Sequence, residues 1–201
     1  MVVIGITGGS GSGKTTLTQL LAAHYRCPVI CHDSYYRPEL RQKDTEVEDI
    51  NFDHPDAYDT AQLVDDLKRL RAGGMVEVPI FDYVNSVRTG ERAKITAPDT
   101  VLLEGILIAQ DPELRRQMDR CFYLDLPDDI RLIRRIQRDM ESWGGNLQST
   151  LRRYLQFVRP MYRQFVYPSR VYCTVLDAMR EPAVLCEQVR RDCAGEGPAG
   201  R

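Results

Sequence analysis

The chain has 201 residues, 43% of them hydrophobic, and sets 27 lysines and arginines against 29 aspartates and glutamates for a formal charge of −2. That length and apolar content suit one α/β domain with a proper core. The balanced charge excludes a global electrostatic attraction to nucleic acid or to an anionic membrane, and no apolar run approaches the ~18 residues of a membrane span.

In chain order, "VVIGIT" (2–7) is short, β-branched and stopped by glycines, which predicts a buried strand. Residues 14–25 predict a helix with Leu17, Leu20 and Leu21 on one face. "PVICHD" (28–33) predicts a second strand, and the charged, unpatterned stretch 37–58 predicts a long loop of the functional or mobile kind. Residues 60–72 carry Leu63, Val64, Leu67 and Leu70 at helical spacing and stop at Gly73-Gly74. "VEVPIF" (76–81) is a strand candidate, and "DTVLLEGILIA" (99–109) predicts the strongest central strand. A short helix (111–119), a strand "CFYLDL" (121–126), a helix from Pro127 to about Glu141 and another from about Leu147 to Phe165 follow. A strand near 171–176, a closing helix near 181–192 and a tail over 195–201, expected to be disordered, complete the pattern. Strand-helix alternation without repeat or linker predicts one α/β domain over 1–194, a parallel sheet with helices on both faces.

"GGSGSGKT" (8–15) matches G-x-x-x-x-G-K-[ST] between a predicted strand and a predicted helix. This chemistry suits a phosphate chain. Backbone amides of Gly8, Gly9, Ser10, Gly11, Ser12 and Gly13 can wrap it, Lys14 can reach the β- and γ-phosphates, and the Thr15 hydroxyl, followed by Thr16, can ligate Mg²⁺. The metal also needs a carboxylate at the end of a neighbouring strand, and Asp33 and Glu104 both stand at such ends. Each could instead be a solvated strand terminus or a helix cap.

Arg131, Arg134, Arg135 and Arg138 fall at i, i+3, i+4 and i+7, on one helical face. Such concentrated guanidinium suits a transferring phosphoryl group, or else a solvated face paired with Asp128, Asp129 and Asp139. In "PIFDYVNSVR", Asp82 lies between Phe81 and Tyr83, with Ser86 and Arg88 after them, so the stretch is either a floor for a ring-shaped ligand or a plain strand end. Six scattered cysteines (Cys27, Cys31, Cys121, Cys173, Cys186, Cys193) show no zinc spacing, and the chain enters "VVIGITGG" without a basic leader. A reduced, cytoplasmic protein is the expectation; the adjoining Cys31 and His32 are either a metal pair or a buried strand thiol beside a polar residue.

Together, "GGSGSGKTT", "HDSYYR", "NFDHPDAYD", "PIFDY", "LLEGIL", "DIRLIRRIQRD" and "FVRPMYRQFVYPSRVY" resemble, in order over residues 2–178, the uridine/cytidine kinases of the phosphoribulokinase and uridine kinase superfamily. The resemblance implies a P-loop NTPase-type fold with a helical lid, here around 128–165, and transfer of the ATP γ-phosphate to the 5′-hydroxyl of a ribonucleoside. It implies Asp33 as general base near Mg²⁺, Thr15 and Glu104 as metal ligands, and Lys14, Arg135 and Arg138 at the phosphates. Tyr36, Phe52 and Asp53 would hold the sugar, with Phe81, Tyr83, Ser86, Arg88 and Arg135 completing the acceptor site.

The departures bear on substrate. Where the family carries a tyrosine hydroxyl and a histidine, this chain has Phe81 and Ser86; the lid sequence "ERGR" is replaced by "ESWGG" (141–145), and a glutamine from the next helix by Arg153. Loss of hydrogen-bonding readers weakens discrimination, so another ribosyl or small hydroxyl acceptor such as nicotinamide riboside stands beside uridine and cytidine. The altered lid also leaves open a P-loop ATP-binding regulatory protein without phosphotransfer. The glycine-rich "SWGGN" is the expected lid hinge. The expected partner is a small-molecule acceptor, with homo-oligomer formation left open.

Overall fold

The computed structural model describes residues 1–40, 49–142 and 146–195. Its central sheet has five parallel strands in the order β2-β5-β1-β6-β7. These are β1 (Val2–Gly8), β2 (Val29–Cys31), β5 (Thr100–Glu104), β6 (Arg120–Asp125) and β7 (Thr174–Asp177). Apart, β3 (Met75–Asp82) and β4 (Val87–Thr96) form an antiparallel hairpin.

Alternation along β1 explains why its sequence is a continuous apolar run: the two faces are both buried. Val3 packs with Leu63 and Leu67 of α2 (Thr60–Arg71) and Leu114 of α3 (Pro112–Gln117). Ile4 and Ile6 pack on the opposite side with Leu17 and Leu21 of α1 (Lys14–Tyr25) and Leu185 and Val189 of α7 (Pro182–Ala194). Each such fully buried leucine contributes about 2 kcal/mol. Leu20, expected on the same face, is 40% exposed. It sits a turn position away from the 17/21 stripe, where the helix meets solvent.

Two strand boundaries differ from expectation for one physical reason. β5 stops at Glu104 and β2 at Cys31 because His32 and Gly105 cross there at close range; a Cβ on Gly105 would lie 2.5 Å from the His32 Cβ. Beyond that crossing, Leu107, Ile108 and Ala109 are buried in turns, not in strand. Asp33 consequently lies in a 3₁₀ turn (His32–Tyr35) instead of ending a strand. β4 was not legible at all: "VRTGERAKIT" leaves its side chains exposed or half-buried and buries only Ile95, so it carries no apolar alternation.

The helix α4 (Asp128–Ser142) follows β6, and α5 (Leu147–Arg153) opens the next helical run. That run continues through a wide π turn (Tyr154–Val158), the single α turn α6 (Arg159–Met161), a second π turn (Tyr162–Val166) and a 3₁₀ turn (Pro168–Tyr172). Pro160 has no amide hydrogen for a carbonyl four residues back, and a widened turn is a recurrent response to that defect. The expected hinge "SWGGN" falls largely on 143–145, the tail almost wholly on 196–201, and part of the loop 37–58 on 41–48, outside the described residues. No helix among the described residues is long and apolar enough to cross a membrane.

Candidate active site

Parallel strands put all their carboxyl ends on one edge, and there the sheet brings distant motifs together. Cys31 of β2 and Ile6 of β1 both pair with Glu104 of β5, so the glycine loop, the turn bearing Asp33 and Glu104 emerge side by side. The loop turns at Gly8 (φ 137°) and at Gly13 (φ 94°), a left-handed backbone that glycine adopts without strain. Gly13 leads directly into α1, whose free amides face the loop's concavity.

Lys14 is buried, its Nζ donating to the Gly9 carbonyl at 3.1 Å. Burial lowers its pKa, while Glu104 and Asp33 pull it back up. The Thr15 hydroxyl donates to Glu104 Oε1 at 2.6 Å. Together with Asp33 this is an all-oxygen donor set beside a phosphate-binding loop, which suits Mg²⁺ and not a thiophilic ion. Cys31 and His32 do not form a metal pair: the Cys31 thiol lies 3.5 Å from the Tyr83 hydroxyl, while His32 is fully enclosed against Thr60 and the Tyr58 ring. Among the described residues no group of three or more His, Cys, Asp or Glu gathers that could hold a metal by itself.

The helix α4 docks onto the loop through its arginines. Arg135 Nη1 donates to Ser10 Oγ at 2.9 Å and Arg138 Nη2 reaches the same oxygen at 3.5 Å. Asp139 pairs with both, 3.3 Å from Arg135 and 2.8 Å from Arg138, which fixes the two guanidinium groups. Arg134 and Arg180 border the groove formed by Gly11, Ser12, Gly13, Lys14, Thr15 and Thr16. Arg131, grouped with these by spacing, is instead buried structure: its Nε donates to the Leu126 carbonyl, its Nη2 pairs with Asp128 at 2.5 Å, and its guanidinium lies 3.8 Å above the Tyr162 ring.

A cleft of about 380 Å³ opens from Ser10 and Asp33 at one end to an aromatic wall at the other. Tyr36, Phe52, Asp53, Phe81, Tyr83, Ser86, Arg135 and Arg138, all expected at the acceptor or phosphates, line it, as does Arg153. The Tyr36 ring centroid is 5.0 Å from those of both Phe52 and Phe81, and Phe81 is 5.3 Å from Tyr83. Such a faceted surface can hold a planar ring by offset or edge contacts. The hairpin loop owes its shape to Asp82, which accepts from the amides of Val84 and Asn85, so this acid is a turn-former and does not line the cleft. Arg88 borders a smaller cavity of about 200 Å³ behind Phe81 and Ser86, beside Arg37 and Leu40, and not the main cleft.

Burial pushes the Asp33 carboxyl up to about 6; Lys14 opposes the shift, and Glu104 and Asp53 add to it. Its oxygens face two phenols, Tyr58 at 3.4 Å and Tyr83 at 3.3 Å. Asp53 is likewise raised by burial, against the attraction of Arg135 and Arg153. Sequence reasoning missed Tyr58 and Arg180. Tyr58 stood inside a quoted motif, and Arg180 follows the last strand at the sheet edge where functional residues collect, which are the only signals for either.

A profile of the phosphoribulokinase / uridine kinase family matches residues 3–181. A uridine kinase of Ligilactobacillus salivarius is 42% identical over 178 residues, covering 87% of this chain and 84% of that protein. One from Streptococcus equi subsp. zooepidemicus is 40% identical over 178 residues, covering 87% and 86%. Among solved structures, a putative fructose transport system kinase from Silicibacter sp. TM1040 superposes with a TM-score of 0.67 at 19% identity, covering 88% of this chain and 87% of that one. A possible uridine kinase from Bacillus stearothermophilus superposes at 0.53 and 22% identity, covering 88% of each. At these identities the structural likeness establishes the fold.

Proposed function

The chain belongs to the phosphoribulokinase/uridine kinase family, and we propose that it transfers the γ-phosphate of ATP to the 5′-hydroxyl of a ribonucleoside, uridine or cytidine before others. The observation that carries this reading is the convergence of three parts at one sheet edge: a phosphate loop with a buried lysine, a buried carboxylate at Asp33, and an aromatic cleft that reaches both.

In this reading the loop from Gly8 to Thr16 cradles the donor phosphates, with Lys14, Arg135 and Arg138 facing the charge that spreads during transfer. Thr15 and Glu104, with Asp33 beside them, would hold Mg²⁺, which supplies neutralisation of phosphate charge when bound. Asp33 accepts the proton of the attacking hydroxyl. Asp53 accepts from the ribose hydroxyls, and Tyr36, Phe52, Phe81 and Tyr83 hold the ring, with Ser86 at its edge and Arg88 behind. Residues 128–165 serve as a lid on a single domain of 1–194, and its closure excludes water from ATP. The protein works in the cytoplasm on small-molecule acceptors.

A second acceptor class is favoured by one observation: Phe81 and Ser86 give the cleft wall a bare ring and a short hydroxyl. Such a wall reads shape more than hydrogen-bond pattern and suits another ribosyl compound such as nicotinamide riboside. Release of ADP across a panel of hydroxyl acceptors tests both. Uridine and cytidine should stand above ribose, polyols and purine nucleosides; ADP release that no acceptor stimulates would leave a nucleotide-binding protein without phosphotransfer.

A further inference from the structure

Two phenols, Tyr58 and Tyr83, face Asp33 and a third, Tyr36, bonds Tyr58 behind it; the most enclosed of the three plays no part in the reaction described above. Tyr58 is 1% exposed, against 8% for Tyr36 and 39% for Tyr83. We infer that Tyr58 is a positioning residue for the transfer reaction, fixing the Asp33 carboxylate toward the cleft through the hydrogen-bonded chain Tyr36–Tyr58–Asp33. The inference rests on Asp33 being the general base.

The Tyr58 hydroxyl lies 2.9 Å from the Tyr36 hydroxyl and 3.4 Å from Asp33 Oδ1, and the Tyr83 hydroxyl lies 3.3 Å from Oδ2. Each carboxylate oxygen therefore faces one phenol. A phenol has a single proton and an ionised carboxylate only accepts. The single Tyr58 proton can point at the Tyr36 oxygen or at Asp33 Oδ1; when it points at Asp33, the Tyr36 hydroxyl supplies the proton between the two phenols. Tyr36 also lines the cleft, so the chain of hydroxyls runs from the cleft wall to the carboxylate.

The Tyr58 ring is held where such positioning requires. His32 stacks on it at 4.0 Å with an interplanar angle of 18°, and the Tyr36 ring lies 4.5 Å away. An isolated antiparallel bridge joins Tyr36 to Tyr58, flanked by backbone bonds from Arg37 to Ala57 (2.8 Å) and from Asp59 to Tyr35 (2.7 Å). Only the hydroxyl hydrogen is left free to turn. His32 supports the ring as a neutral imidazole, with the Thr60 hydroxyl 3.3 Å from its Nε2. The charges facing Asp33 do not fix it by themselves: Glu104 from β5 and Asp53 repel it, and Lys14 from α1 attracts it. Without phenol donors the attraction of Lys14 is the pull that remains on the carboxylate.

Tyr58→Phe removes the hydroxyl and keeps the ring on His32. We expect kcat with uridine to fall about tenfold with the KM for ATP unchanged. The ¹³Cγ signal of Asp33, assigned by its loss in Asp33→Asn, should move. Tyr36→Phe, which cuts the chain one link earlier, should lower kcat about threefold and move the same signal less. A Tyr58→Phe protein with kcat within twofold of wild type, or with an unmoved Asp33 signal, would overturn the inference. Near-normal turnover by Asp33→Asn would instead bring down the general-base reading, and the two failures are separable because the Asp33 signal would still respond to Tyr58→Phe.

Discussion

At the scale of single residues, Asp33 is where stability and the proposed chemistry oppose each other. Its carboxyl titrates near 6 in the fold against about 3.8 in the unfolded chain, so folding favours the protonated form. Stability is therefore lost as pH rises from about 4 to about 6. The full shift corresponds to about 3 kcal/mol, reduced to about 2 kcal/mol because part of Asp33 opens to the cleft. Asp33→Asn should then raise the melting temperature of the nucleotide-free protein at pH 7.5 by several degrees while transfer falls about a thousandfold. Calorimetry and ADP release on the same samples check both, and a destabilised or fully active variant would contradict the assignment. Turnover per acceptor encounter, kcat/KM, should rise with pH through a midpoint near 6, since the base must be ionised. A profile flat from pH 5 to 8 would remove Asp33 from that role.

At the scale of elements, the contact between α4 and the glycine loop decides whether the site is assembled. Gly11 has φ 82°, and a Cβ there would run into the Arg131 backbone carbonyl. Gly11→Ala should therefore part loop and helix, raising the KM for ATP at least tenfold, as measured by initial rates at saturating acceptor. Arg131 holds the same contact from the helix side. Its guanidinium satisfies Leu126, Asp128 and the Tyr162 ring at once, so Arg131→Met should cost about 3 kcal/mol in urea unfolding. Arg134 is exposed by comparison, and Arg134→Met should leave stability within about 0.5 kcal/mol. Spacing placed these arginines on one face and could not distinguish them. Arg131 and Arg135 are both buried, and what sets Arg131 apart is the Tyr162 ring, some thirty residues downstream, and the Leu126 carbonyl just past β6.

At the scale of the whole molecule, the sheet order determines what meets what. Placing β5 between β2 and β1 sets Glu104 beside Thr15 and Asp33, three residues that are far apart in sequence. The cleft then spans from the glycine loop to the separate β3–β4 hairpin, whose Phe81, Tyr83 and Ser86 supply part of its wall. Replacing Phe81 by tyrosine and Ser86 by histidine together should narrow acceptor choice toward pyrimidine nucleosides, raising the ratio of kcat/KM for uridine over nicotinamide riboside about tenfold or more. An unchanged ratio would mean that the wall does not read the ring. Much of this was legible beforehand. The glycine loop, its flanking strand and helix, the buried strands and the amphipathic α2 announce themselves because their signals are local, a fixed motif or a period of 2 or 3.6 residues. The sequence by itself thus determined the α/β class, the phosphate loop and the family likeness. Only the tertiary structure decided that β4 pairs with β3 despite its polar pattern, that β5 ends where His32 crosses Gly105, that Arg131 is locked against Leu126, Asp128 and the Tyr162 ring while Arg135 and Arg138 reach Ser10, and that Tyr58 stands on Asp33. Each of these depends on a neighbour distant in the chain, and contacts at long sequence separation leave no periodic trace in a single sequence.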